Sequence, residues 1–347
     1  MFEPRNSKPE FPTKKPASDT FPKVNTTSSA FEDLDPVTMV LNSDSNQFGN
    51  HRNYYKKRGT KLSVLDPRLI SLDRIVFEEK DVLDVGCHCG LIPLQLGKYF
   101  GVKSAKGIDI DFRLINAATE NWTKEELREH KKAEPEHEHQ SESAGASVNL
   151  ESEEETEETS HPSEAQSKAN TGMQFHKPAQ LAIPSFGGNT TNYPYNVSFQ
   201  VCNILQLSLS EPSTTSQTPG QEQGETPSEQ KKPVLGAQQF DTVLLLSLTK
   251  WVHMNFGDDG IRTLFANAKS LLRVGGRLVL EAQKFKAYAK ILPQSARFQK
   301  VYPNIQLRPE MFEDYLIKQL GFMKEGVYQS LSRDTFKRDL VVFRRVN

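Results

Sequence analysis

Residues Asp81–Gly90 read DVLDVGCHCG. Val82, Leu83 and Val85 make a short apolar run of strand character, Gly86 and Gly90 follow it, and LIPLQLGKYF (Leu91–Phe100) then has the look of a helix. Strand, glycine turn, helix is the first half of a nucleotide-type βα unit. Glycine is needed at such a turn because the backbone must bend sharply and let a ligand lie against it, and a Cβ would obstruct both. Further on, GIDID (Gly107–Asp111) closes a second short run that places Asp109 about 20 residues beyond Gly90. An acidic residue at the end of a second strand can accept hydrogen bonds from both hydroxyls of a ribose.

Working outward, the 347-residue chain has 36% hydrophobic residues, low for a wholly globular protein, so part of it is expected to be disordered. Its 43 Lys+Arg nearly balance 44 Asp+Glu, but the charges are segregated. Residues 134–164 are strongly acidic, while His51–Lys61 and the region after Lys284 are basic. Without the acidic segment the remainder is net basic, which suits a polyanionic partner. Three cysteines without a spaced framework suggest a reducing compartment. No run of about 18 apolar residues exists, so no membrane span is expected, and the first twenty residues lack the apolar region of a signal peptide.

The organisation expected is a disordered tail over 1–45 and a single domain over 46–347, interrupted by disordered insertions at about 130–192 and 207–236. Within it the pattern predicts a short helix inside Asp66–Phe77, a strand at Ala105–Ile110, a helix from Asp111 to about Arg128 and a strand at Val197–Val201. Phe240–Leu248, FDTVLLLSL, is the best candidate for a central strand. A helix over Gly260–Leu272, capped by Asp258 or Asp259 and stopped by Gly275-Gly276, leads to a strand at Arg277–Glu281. A last helix opens at Pro309, and Gly326–Ser330 with Asp339–Arg344 form a hairpin at the sheet edge. The fold class is α/β, a Rossmann-like sheet with helices on both faces.

The ligand follows from details of the turn. The glycines are spaced GxxxG rather than the GxGxxG of dinucleotide sites, and Asp84 precedes the first of them, where a carboxylate can meet a cationic amino group. Both details, and a helix closed by RVGGRLVLE, favour S-adenosylmethionine over a nicotinamide cofactor; the bland alternative is any doubly wound domain. Cys87, His88, Cys89 and Cys202 do not make a metal site, because neighbours in a tight turn cannot all face one ion and C-x2-C spacing is absent. Ser247–Asp259, SLTKWVHMNFGDD, follows the central strand directly, so Lys250, Trp251, His253 and Asn255 should stand at the mouth of the cofactor site. Lys and His can bind phosphate there and Trp can exclude water; alternatively Trp251 belongs to the core and His253 is a structural hydrogen-bonder. In FGNHRNYYKKRGTKL the aromatic residues Phe48, Tyr54 and Tyr55 alternate with Arg52, Lys56, Lys57, Arg58 and Lys61, a pattern that can stack on bases and hold phosphates, or can simply be a solvated basic segment.

The strings DVLDVGC, GIDIDFRLI, SLTKWVHMNFGD, FGNHRNYY and NIQLRPEMF together resemble the Bicoid-interacting-3 domain family of RNA methyltransferases, over about residues 46–129, 196–205 and 239–345. The resemblance implies methyl transfer from S-adenosylmethionine to the γ-phosphate at the 5′-triphosphate end of a small nuclear RNA, in the nucleus, with ribonucleoprotein proteins as further partners. Lys250 points to this capping branch, since the branch acting on 5′-monophosphate RNA typically has Met there. Tyr54 matches a cofactor-contacting tyrosine, and Lys61 falls where the capping branch has an Arg, which loses a bidentate fork. Gly86, Cys87 and His88 match the glycine turn, with His88 in place of the usual Asn. Asp109 and Ile110 match ribose and adenine contacts, and Asn203 matches an Asn near the adenine. Glu281 and Gln283 persist in EAQKF, whereas Ala282, Lys284 and Phe285 depart from a Pro- and Trp-containing string.

A phosphate oxygen is already anionic at neutral pH, so such a reaction needs no strong base, only in-line positioning and exclusion of water. The expected roles are phosphate orientation by Lys250 and His253, closure over the cofactor by Tyr54, and support of non-reacting oxygens by Arg58, Lys61 or Lys250. Trp251, Asn255 and Gln283 complete the expected substrate wall. The rival readings are a methyltransferase for 5′-monophosphate RNA, a small-molecule or protein methyltransferase, and a catalytically quiet RNA chaperone. The acidic insertion is expected, from its charge alone, to compete with RNA for the basic face.

Overall fold

The computed structural model describes residues 47–51, 54–133, 192–210, 234–331 and 337–347. The expected tail, most of both expected insertions, and Arg52 lie outside the described residues. Seven strands form one sheet: β1 (Asp81–Val85), β2 (Ser104–Asp109), β3 (Val197–Val201), β4 (Phe240–Leu246), β5 (Leu272–Glu281), β6 (Phe322–Gln329) and β7 (Asp339–Arg345). Their order is β3-β2-β1-β4-β5-β7-β6. The first five run parallel, and β7 pairs antiparallel with both β5 and β6. This is the expected sheet with its edge hairpin, and the order reverses between β1 and β4, where doubly wound folds bind their ligands.

The strands alternate between two cores. Leu83, Val85, Val243, Leu245, Leu278 and Leu280 face one side, and Val82, Leu244, Leu246 and Val279 face the other. With both faces covered, the alternation is hidden inside continuous apolar runs such as TVLLL, which is why such strands look uniformly hydrophobic. On the first side lies α5 (Thr249–Leu271), through Ile261, Leu264, Phe265 and Ala268, together with α7 (Phe312–Lys318), through Phe312, Tyr315 and Leu316. On the second lies α3 (Leu91–Tyr99), through Ile92, Leu94 and Leu96. Before β1 come α1 (Tyr54–Arg58) and α2 (Pro67–Ile70), the latter capped by Asp66, whose side chain accepts from the Arg68 backbone. After β2 comes α4 (Phe112–Ala133), and α6 (Ala296–Val301) precedes α7.

Three expectations about boundaries change. The α4 helix continues to Ala133, so it enters the stretch assigned to the first insertion, and a parallel ribbon of Ser208–Ser210 with Val234–Gly236 borders the second. The helix expected from Gly260 is the second part of α5: a first part starts at Thr249, immediately after the central strand, and a kink at the non-helical Gly257 (φ 63°, ψ −160°) separates the two. At that kink the Asp258 carboxylate accepts from the backbone N–H of Gln306 and of Leu307 rather than capping the helix. Nor do the two glycines end the helix. It stops at Leu271, and Gly275 (φ +82°) and Gly276 lie inside β5, at the shift in register between Phe240 and Thr242. A Cβ at Gly276 would sit 2.8 Å from Arg273 O and 3.0 Å from Asp241 O, so this close approach of two strands requires glycine.

Candidate active site

At the C-terminal ends of β1, β2 and β4 a cleft opens, bounded by Asp84, Gly86, His88, Asp109, Asn203 and Trp251. A second recess adjoins it, with Lys57, Lys250, Gln283 and Arg338 on its walls. Gly49, Tyr54, Ser247 and Trp251 line both.

The cleft is built by the glycine turn. Gly86 (φ 77°) and Gly90 (φ 78°) take the left-handed backbone, and a Cβ on Gly86 would press on Leu248 Cδ1 at 3.1 Å. His88 takes it too, at φ 55°, in the region where Asn is better tolerated than other side chains. Its backbone N–H donates to Asp109 Oδ2 at 2.9 Å and its Nε2 meets His51 O at 2.9 Å. That contact pins the segment Gln47–His51 across the cleft, where Asn50 Nδ2 also donates to Asp111 Oδ2 and Asn255 Nδ2 to Gln47 O. Gly49 passes so close to Trp251 that any side chain would overlap its ring.

Among the described residues, several buried polar atoms in the cleft have no hydrogen-bond partner: Asn50 Oδ1, the Tyr54 hydroxyl and His88 Nδ1. Such atoms cost free energy unless a ligand meets them. Burial pushes the Asp84 carboxyl up to about 7, with Arg68 opposing and Asp109 and Asp66 adding to it. Burial likewise raises Asp109 to about 6, against hydrogen bonds from the Asp111 and His88 backbone. Opposite them Ile110, Leu114, Ile204, Leu205 and Val252 supply an apolar wall. A ligand with a cationic amino-acid end, a ribose and a flat ring is compatible with this distribution of two buried carboxylates, Asp84 and Asp109, and an apolar wall.

A family model described as Bicoid-interacting protein 3 (Bin3) matches residues 240–345, and one described as ribosomal protein L11 methyltransferase (PrmA) matches residues 61–149. A protein of Arabidopsis thaliana named as a probable RNA methyltransferase is 31% identical over 314 residues, 88% of this chain and 82% of its own. The chain belongs to the Bin3 family of methyltransferases. S-adenosylmethionine is the cofactor of this Bin3 protein. The human 7SK snRNA methylphosphate capping enzyme is 34% identical over 78% of this chain, which spans about a third (34%) of that enzyme's length. The U6 snRNA methylphosphate capping enzyme Amus of Drosophila melanogaster is 27% identical over 88% of this chain and 77% of its own. Among solved structures, a SAM-dependent methyltransferase of Methanosarcina mazei superposes with a TM-score of 0.40 at 15% identity over 81% of this chain and 98% of its own. The fold assignment rests on the strand order instead.

Of the residues singled out in the Bin3 sequence, the cleft gathers Tyr54, Asp84, Gly86, His88, Asp109, Ile110 and Asn203, and the recess gathers Tyr54, Lys250, Trp251 and Gln283. Five others lie elsewhere. Cys87 is fully buried and points at β2, where a Cβ on Gly107 would meet its Sγ at 2.8 Å, so it packs beneath the turn. Lys61 has an exposed side chain outside both cavities, and its carbonyl is held by Gln95 Nε2. Arg58 does not reach either cavity; its guanidinium is buried against Glu281 at 3.1 Å. His253 is fully buried away from both cavities, with Nε2 2.9 Å from Asp258 Oδ1 and Nδ1 3.4 Å from the Tyr288 hydroxyl, which is the structural alternative. Asn255 holds the Gln47 backbone rather than lining the recess. Helical periodicity explains the split in TKWVHMN, because Lys250 and Trp251 turn outward while His253 and Met254 turn in. Among the described residues no His/Cys/Asp/Glu group is placed to hold a metal.

The sequence alone did not assign Arg68, His51 or Arg338 to the site, and it offered Lys57 only as one of several cations in the basic aromatic segment. Arg68 is 1% exposed, walls the cleft, and forms a fork on Asp66 with Nε to Oδ1 and Nη2 to Oδ2, both at 2.8 Å. The Asp66-Pro67 helix start was a usable signal for the cap but not for the burial of the arginine beside it.

The raised Asp84 carboxyl has a consequence for binding. Below pH about 7 it keeps its proton, which a cationic ligand must displace, so the affinity for S-adenosylhomocysteine should rise up to about tenfold per unit as pH climbs toward 7 and then level off. Calorimetry between pH 5.5 and 8 tests this. Asp84→Asn should weaken binding and leave only the step near 6 that belongs to Asp109; an unchanged profile in that variant would remove Asp84 from the cation site.

Proposed function

We propose that the protein methylates a 5′-terminal phosphate of RNA, with the γ-phosphate of a 5′-triphosphate small nuclear RNA as the preferred acceptor and the nucleus as its place of action. One observation carries this reading. The recess beside the cofactor cleft is lined by Lys57, Lys250, Arg338 and His51, and among the described residues no carboxylate lines it. A small neutral substrate would not require such a wall, whereas a terminal phosphate carries charge that matches it. The capping activities named for the human and Drosophila relatives support the same acceptor class, and ribonucleoprotein proteins are natural neighbours of such an RNA.

Bound S-adenosylmethionine supplies an electrophilic methyl group on a sulfonium. The chain's own residues then have four tasks. Asp84 and Asp109 orient the two ends of the cofactor's polar backbone. Tyr54 and Trp251, on the wall common to both cavities, align acceptor with donor and exclude water. Lys250 holds a non-reacting phosphate oxygen; burial and the charge of Arg338 lower its pKa to about 8, so an anion restores its full charge. Gln283 fixes the start of α5, with Nε2 donating to Ser247 O at 2.7 Å and Oε1 3.4 Å from the Lys250 backbone nitrogen. No proton has to be removed from the attacking oxygen.

The test is transfer of labelled methyl to a panel of otherwise identical RNAs ending in 5′-triphosphate, 5′-monophosphate or 5′-hydroxyl. Label should enter the triphosphate RNA at least about tenfold faster than the monophosphate. Preference for the monophosphate would transfer the chain to the other acceptor class, and tight RNA retention without transfer to any end would make it a binding protein.

A further inference from the structure

Glu281 ends β5 and is completely buried, yet its carboxylate joins four segments. Oε1 accepts from Arg58 Nη2 at 3.1 Å and Arg338 Nη1 at 3.4 Å, and Oε2 accepts from Ser247 Oγ at 2.6 Å and Arg68 Nη1 at 3.4 Å. Arg338 also donates to Ser247 Oγ at 2.9 Å. Asp66 is the second carboxylate of the group, so three guanidiniums share two negative charges.

The partners of Glu281 are the parts that meet at the wall between the cavities. Arg58 lies 5.4 Å from the centre of the Tyr54 ring, and Tyr54 lines both cavities. Arg68 walls the cofactor cleft, Ser247 lines both, and Arg338 lines the recess. Ser247 stands at φ 61°, an unfavourable backbone for a residue with a Cβ. It is held there by its own N–H donating to Glu281 O at 3.1 Å and by the Gln283 amide on its carbonyl. The strained residue is thus fixed by the two ends of one short stretch, Glu281–Gln283.

We propose that Glu281 is the positioning residue of the transfer site: it sets Arg338 and Ser247 on the recess wall and Arg58 beneath Tyr54, and its charge stops the recess from over-neutralising the phosphate that it holds. This rests on the reading of the recess as a phosphate site. A phosphate oxygen attacks with the electron density left to it. Each uncompensated cation beside it strengthens binding and weakens attack. Removing one buried negative charge should therefore separate the two effects, which loss of a merely structural contact would not do.

The experiment is Glu281→Gln in the full chain, with kcat measured on 5′-triphosphate RNA and the RNA Kd measured across salt concentrations. Glutamine keeps the shape and removes the charge; its NH2 is better tolerated at the Oε2 position, beside the Ser247 hydroxyl and the longer 3.4 Å contact to Arg68, than at Oε1 between Arg58 and Arg338. The expected result is a kcat lower by about thirtyfold per folded site, with an RNA Kd equal to or tighter than wild type and a salt dependence steeper by about one unit. A kcat within about threefold of wild type, or weaker binding with a shallower slope, would overturn the proposal. Should that variant not fold, Ser247→Ala keeps the charge and removes the shared hydroxyl. It should lower kcat about tenfold with the RNA Kd within about twofold, and an unchanged kcat would count against Glu281 equally. Failure of the wild-type chain to methylate any 5′-phosphate defeats the phosphate reading, and Glu281's role with it; a wild type that methylates and a Glu281→Gln variant that matches it defeat only the second.

Discussion

Lys250→Ala should lower methyl transfer to 5′-triphosphate RNA by about 100-fold while S-adenosylhomocysteine binds within about twofold of wild type. The asymmetry follows from position. Lys250 lines the recess and not the cofactor cleft. Its ammonium lies 4.4 Å from the centre of the Trp251 ring, so the stem is packed and the charge is aimed. Removing a preorganised cation from a dry site costs about 2.7–4 kcal/mol of transition-state stabilisation, far more than a surface lysine would. The lowered pKa adds a check. Wild-type RNA binding should weaken as pH rises through about 8, where free Lys250 loses its proton, and the Ala variant should lack that step. Equal losses of cofactor affinity and turnover would show that Lys250 acts on the fold of α5 rather than on the phosphate.

Arg68→Ala should destabilise the domain by about 3–5 kcal/mol, because it strands the buried Asp66 carboxylate and takes one of three guanidiniums from Glu281, which keeps Arg58, Arg338 and Ser247. Against a total of about 5–15 kcal/mol for a typical domain, that is a large share. Burial alone would push Asp66 up; the charge and hydrogen bonds of Arg68 outweigh it and hold the carboxyl below its usual range. A depressed carboxylate contributes stability above its unfolded pKa, near 3.9, and loses it as pH falls through the folded value. The wild type and the variant should therefore differ most near pH 7 and converge toward pH 4, where the variant's carboxylates take up protons. Urea denaturation at both pH values measures this. A difference under about 1 kcal/mol at pH 7 would mean that the ion pairs only offset their own desolvation.

The parts legible in the sequence are those set by periodicity and by backbone chemistry. β1 and β4 announced themselves as apolar runs, β2 as a short run ending in GIDID and β3 by a weak alternation, and GxxxG followed by Asp109 pointed to the edge of the sheet where the cleft lies. Within TKWVHMN the residue types were informative and their directions were not. A helix starting at Thr249 sends Lys250 and Trp251 outward and His253 inward, and a start taken near Gly260 cannot reveal that. The glycine pair was misassigned for a related reason: Gly275-Gly276 is as good a helix stop as it is a strand bulge, and only the partner strand distinguishes them. Glu281 was named in the sequence, but its grouping with Arg68 and Arg338 was beyond reach, since a group made of residues 58, 66, 68, 247, 281 and 338 has no spacing to read. Lys61 illustrates the converse: a match to the family pattern gave it a role, while the turn that carries it directs its side chain into solvent.

The direction of α4 has one more consequence. It starts just after β2 reaches the ligand edge of the sheet and runs back to Ala133, and the chain reappears at Asn192, beside the start of β3. The second interruption leaves from Ser210, which is paired with Gly236, four residues before β4 begins. Both openings thus lie at the rear edge of a parallel sheet whose chemistry is all at the front. Chain can be added or lost at these two openings without moving Asp84, Asp109 or Lys250, which stand at the opposite edge.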